Sequence, residues 1–148
     1  MNESLNEALS PRDRAARKQT IETVSAKLGL ETDDWGITDT GYKFFVHKMP
    51  FKDKCIIVNY EELTVRKGHI KGFIFVNALT DYQDKVWMIH DVPAFKQWVD
   101  DGLNGGVNYL WNSRPDEARL YGGNFNFFGV TIEVKELEKQ PFCEVKNL

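Results

Sequence analysis

The histidines and cysteines of this 148-residue chain are the side chains best suited to proton transfer, metal binding or nucleophilic attack. His47, His69 and His90 fall on three different expected strands or turns, Asp91 follows His90, and Cys55 lies between His47 and His69. Convergence of these groups would give a metal site or, through His90 and Asp91, an acid–base pair. No short ligand spacing joins them, and histidines at strand ends more often serve as surface or capping groups. Glu61 and Glu62, like Asp100 and Asp101, are neighbours in sequence, so in regular structure their carboxylates diverge. The chain carries no GxGxxG, P-loop, HExxH, GxSxG or paired CxxC motif. The expectation is no catalytic residue, no metal and no cofactor, with a small His/Asp enzyme the least favoured reading. Cys55 and Cys143 are expected as free thiols.

Charge is uneven. The chain has 19 basic and 22 acidic side chains, a formal charge of −3, which argues against binding polyanions through net charge. Residues 43–72 nevertheless hold Lys43, Lys48, Lys52, Lys54, Arg66, Lys67 and Lys71 against Asp53, Glu61 and Glu62. Lys52, Lys54, Arg66, Lys67 and Lys71 thus form a basic hairpin that could touch phosphate or an acidic partner. Within it, Lys71-Gly72-Phe73-Ile74-Phe75-Val76 resembles the central-strand signature of RNA-recognition-motif domains, whose alternate aromatics stack bases. Ile74 stands where that family has a small residue, and Ala78 where it has an aromatic. No helix is expected between this strand and those before it, so the family's β-α-β opening has no counterpart. A strand apolar on both faces equally suits the centre of a sheet covered on both sides, and that is the favoured alternative.

The strongest functional hint is compositional. Residues 104–128 hold six aromatics (Tyr109, Trp111, Tyr121, Phe125, Phe127, Phe128), five asparagines and four glycines, with Arg114 and Arg119 the basic residues and no lysine. Recognition surfaces favour Tyr, Trp and Arg over Lys because rigid amphipathic groups supply contact area at low entropic cost. Tyr109, Trp111, Arg114, Arg119, Tyr121 and Phe125 are therefore the candidate partner-binding residues. The opposing reading folds the rings inward to close the core above the second helix, with Trp111 and Phe128 suited to that role. The leading expectation is a non-enzymatic interaction protein of assembly, structural, adaptor or inhibitor type, docking on another protein or on itself. A nucleic-acid binder using the basic hairpin comes second.

The elements that must position these groups follow from periodicity. Ser10 suits an N-cap, Pro11 the first helical position, Ile21, Val24 and Leu28 a helical face, and Gly29 a C-cap. Alternation predicts strands at 42–47, 55–60, 63–65, 70–79 and 86–90. Asp91 then caps a second helix near 91–102, with Phe95, Trp98 and Val99 on one face and Gly102 as its stop. Residues 104–123 read as irregular, 128–135 as a half-buried strand, and 142–145 as a short edge strand. The expected fold is α+β: residues 1–9 a flexible arm, and 10–148 one domain with a mainly antiparallel sheet of five to six strands. Apolar runs are too short to span a bilayer, and the polar N-terminus lacks the pattern of a secretory signal. The expected setting is the cytoplasm, with a virion as the alternative.

Overall fold

The computed structural model describes residues 11–34, 36–47, 55–59, 70–77, 85–113 and 129–148; at 13, 14, 47, 55–59, 77, 111–113 and 129 it describes the backbone alone. The N-terminal arm, the 63–65 strand and most of the basic hairpin lie outside these residues.

The first helix, α1 (Pro11–Leu28), ends on Gly29, whose φ of +69° is open to glycine without steric cost. The Gly29 N–H donates to the Ala26 carbonyl and the Leu30 N–H to Ser25, at 3.2 and 2.9 Å. These are the paired bonds of a Schellman cap. Along α1 only Thr20, Ile21, Val24 and Ser25 are buried among the described side chains. The hydroxyls of Thr20 and Ser25 donate back to the Ala16 and Ile21 carbonyls, which lets polar groups sit beneath the helix.

Four strands form the main sheet: β1 (Tyr42–His47), β3 (Gly72–Asn77), β4 (Lys85–Ile89) and β7 (Cys143–Asn147), in the order β1-β3-β4-β7. Three more, β2 (Cys55–Asn59), β5 (Leu110–Ser113) and β6 (Gly129–Glu133), form a second sheet in the order β2-β6-β5. This departs from the single mainly antiparallel sheet expected. β1 and β3 run parallel, Tyr42 opposite Gly72 and His47 opposite Asn77, while every other pairing is antiparallel. A parallel neighbour needs a long crossover, and the chain between His47 and Gly72 provides one, sending β2 to the other sheet on the way. The α+β class stands, with a mixed main sheet.

The second helix, α2 (Val92–Gly105), begins where Asp91 predicts: its carboxylate accepts the Ala94 N–H at 3.0 Å. It does not stop at Gly102. That glycine is buried inside the helix, where a Cβ would strike the Leu110 side chain, so it serves close packing. The helix ends instead at Gly106 (φ +65°), with the Gly106 and Val107 N–H groups on the Leu103 and Gly102 carbonyls. Two further differences follow. The segment expected to be irregular contains β5, and the strand expected over 128–135 gives way to a short helix, α3 (Val134–Glu138). Val134 is in phase with both patterns, continuing the alternation of Val130 and Ile132 and pairing at i,i+3 with buried Leu137.

Both faces of the main sheet are covered. Phe44, Ile74, Val76 and Val86 meet Ile21 and Val24 of α1. Phe45, Phe73, Phe75, Trp87 and Ile89 face the other way, onto Phe95 and Val99 of α2, Leu110 of β5, Val130 and Ile132 of β6, and Leu137 of α3. One aromatic core therefore joins the two sheets. The Trp87 indole N–H donates to the Glu138 carboxylate at 2.9 Å, which ties α3 to β4.

Candidate functional site

Phe73 and Phe75 decide the reading of the Lys71–Val76 stretch. Both are fully buried, packed edge-on or tilted against Phe95 at 6.0 and 5.7 Å between ring centroids. Neither ring can stack on a base. β3 is the central strand, apolar on both faces because both faces are covered. Lys71 is exposed just ahead of it, with its backbone N–H on the Gly41 carbonyl at 2.8 Å. Lys52, Lys54, Arg66 and Lys67 lie outside the described residues.

Of the expected partner-binding residues, Tyr109 is the one with a described side chain. It is half-buried and stacks on Trp98 of α2 at 5.9 Å and 17° between ring planes. Trp98 meets Phe95 and Phe142 on its other contacts, so the stack stands on the aromatic core. Asn104, Gly105, Gly106 and Asn108 beside it are exposed. Trp111 is placed by its backbone, opposite Thr131 in the β5–β6 pair. Arg114, Arg119, Tyr121 and Phe125 lie outside the described residues.

The polar constellation that the fold does assemble lies at one end of the main sheet. His90 follows β4, but its partner is not Asp91, whose carboxylate caps α2. The imidazole instead meets the Tyr42 hydroxyl at Nδ1 (2.5 Å) and the Glu144 carboxylate at Nε2 (2.8 Å). Register explains how residues so distant in sequence meet. Tyr42 lies opposite Gly72 on β3, and the missing side chain there lets its ring pass over the strand toward His90. Glu144 enters from β7, the neighbour of β4 on the far side. A carboxylate accepts only, so Nε2 of the neutral ring carries the proton, Nδ1 is an acceptor, and the phenol donates to it.

A carboxylate, an imidazole and a hydroxyl in series can in principle move a proton. Here the phenol is held against ionisation: burial, and then the negative charge of Glu144, push the Tyr42 pKa up from its usual value. The row therefore keeps a hydrogen-bond donor at Tyr42, not a phenolate nucleophile. The Tyr42 and His90 rings also make an edge contact, with centroids 5.6 Å apart. Sequence reasoning picked out His90 but missed both partners, because neither Tyr42 nor Glu144 is near it in the chain. The available signal was Gly72, a glycine at the start of a strongly apolar strand.

Cys143 is a free thiol, partly buried against the aromatic core. Burial, then the charges of Glu138 and Glu144, push its pKa up to about 12, so it is an unreactive thiol. Among the described residues no three His, Cys, Asp or Glu side chains gather to hold a metal, and no helix is long and apolar enough to cross a membrane. No protein-family model, curated protein or solved structure matches the chain.

Proposed function

We infer that this protein is a non-enzymatic docking domain that engages another protein through its 104–128 segment. The observation that carries the reading is the Trp98–Tyr109 stack at the root of that segment. Both rings are partly buried, braced from below by Phe95 and Phe142, and bordered by exposed asparagine and glycine. Pre-ordered aromatic groups with a polar border lose little entropy on binding, which is the composition of an interface hot spot. Arg114, Arg119, Tyr121 and Phe125 would extend that surface along the chain. The role is that of an assembly or adaptor protein. Nucleic-acid binding ranks behind it, since the buried Phe73 and Phe75 leave that reading only its basic side chains.

Tyr109 belongs partly to the core, so the test is best placed further along. A variant with Arg114, Arg119 and Tyr121 all changed to Ala is compared with the unaltered chain for binding to the partner isolated with the latter. An affinity lower by about tenfold or more, with the circular-dichroism spectrum unchanged, is the expected result. Equal binding by the two chains would refute the docking role of this segment.

A further inference from the structure

The geometry points to a second surface, independent of that segment: the edge of β7 turned away from β4, which we propose pairs with β7 of a second copy of this chain to make one continuous sheet across a two-fold axis. Among the described strands, β7 is an end of the main sheet, with β4 its one neighbour. Glu144, Val145, Lys146 and Asn147 are all exposed. Val145, at 37 %, is the exposed large apolar side chain among the described residues.

The direction of the backbone groups follows from one bond. The His90 N–H donates to the Phe142 carbonyl at 2.9 Å, so these opposed residues form a hydrogen-bonded pair. Alternation then turns the polar backbone groups of Glu144 and Lys146 toward β4, and those of Cys143, Val145 and Asn147 outward. An edge with outward N–H and C=O groups is a template for another strand. The Cys143 N–H is already spent on the Gln140 carbonyl, but its carbonyl and both groups of Val145 and Asn147 are not spent on β4.

The sequence Cys143-Glu144-Val145-Lys146-Asn147 is complementary to itself read antiparallel about Val145. Val145 then lies opposite Val145 of the second copy, the two exchanging both of their backbone hydrogen bonds. Glu144 lies opposite Lys146 on either side of the axis, in the non-hydrogen-bonded positions where side chains approach most closely. Asn147 donates to the Cys143 carbonyl across the interface. Glu144 uses one oxygen on His90, leaving the other for the incoming lysine. Among the described residues Lys146 has no ion pair of its own, so the second copy supplies the charge it lacks. Charge order, and not apolar area, is what selects a second copy over an unrelated strand.

Sedimentation of the full chain tests this. The mass should rise with concentration toward twice the 17.1 kDa of one chain. Val145→Pro removes an outward N–H while leaving the β4 bonds in place, and should sediment as a single chain. Lys146→Glu, which sets a second carboxylate against Glu144 on either side of the axis, should lower the association constant by about tenfold or more. The double variant Glu144→Lys/Lys146→Glu restores opposite charges across the axis and should associate again, an outcome that loss of folding cannot mimic. A single-chain mass up to about 1 mM, the weak limit of a specific contact, would overturn the proposal. So would association that Val145→Pro and Lys146→Glu leave unchanged, since another surface would then be responsible.

Discussion

On the face of the main sheet turned to α2, Phe45, Phe73, Phe75, Trp87 and Ile89 meet a layer built from a helix, two strands of the second sheet and α3; on the face turned to α1, Phe44, Ile74, Val76 and Val86 meet Ile21 and Val24, with Leu28, Leu30 and Leu148 only partly buried at the margin. The first face is a continuous aromatic interior. The second is covered over β1, β3 and Val86 of β4, whereas Met88 is only half-buried and Glu144 and Lys146 are exposed. The Tyr42–His90–Glu144 row and the charges of the β7 edge both lie on this thinner side. Polar side chains collect there because they keep contact with water while their partners align them, which the aromatic side would not allow without a large desolvation cost.

Truncation on the two sides should separate them most clearly. Phe95 is fully buried and touches Phe73, Phe75, Trp98 and Phe142, so Phe95→Ala should cost about 3–5 kcal/mol of stability in urea unfolding. Ile21→Ala on the α1 side, where a thinner layer can close over the gap, should cost about 2–3 kcal/mol. Equal losses would mean that α1 is as deeply integrated as α2, and the contrast between the faces would fail. Gly72→Ala probes the junction between them. A Cβ there meets the Ile89 carbonyl and the Tyr42 ring, so a loss of about 1–3 kcal/mol is expected. Because part of that clash is with Tyr42, the same substitution in a Tyr42→Ala background should cost less. An unchanged cost would place all of the strain at the Ile89 carbonyl and remove Gly72 from the account of the row.

What the sequence made legible divides along similar lines. Helices with caps and strands with alternation were readable: α1 through Pro11 and Gly29, α2 through Asp91, and β1, β4 and β6 through their apolar periods. These signals are local, and local chemistry enforces them. β5 was not readable, since Leu110-Trp111-Asn112-Ser113 has no alternation, and pairing with β6 imposes the strand on it. The α2 terminus was misplaced because Gly102 carries the mark of a stop while serving close packing against Leu110. The division of strands between two sheets was equally hidden, because sequence periods report faces and not neighbours. His90 could be singled out from sequence, but its partners could not: Tyr42 and Glu144 reach it through strand register alone.

The smallest effects expected are those of pH, and they distinguish the faces by the groups each one shields. Cys143 packs toward the aromatic side and Tyr42 lies on the α1 side; the folded chain raises the pKa of both, mainly through burial. A raised folded pKa means that the folded state holds the proton more tightly than the unfolded chain. The resulting stability is fully present below the unfolded values, 9.0 for the thiol and 10.0 for the phenol, and is lost as pH rises through the folded ones. Neither group should make stability depend on pH near neutrality. For Cys143 the window opens at 9.0 and closes at about 12. At its lower end, near pH 9, the thiol of a Cys55→Ser chain should be alkylated more slowly when folded than in urea, by about a hundredfold or more, because the thiolate is the reacting form, and the difference should shrink as pH rises toward the folded value. Equal rates would show that water reaches the start of β7 from the aromatic side, and the two faces would then differ less in depth than their packing indicates.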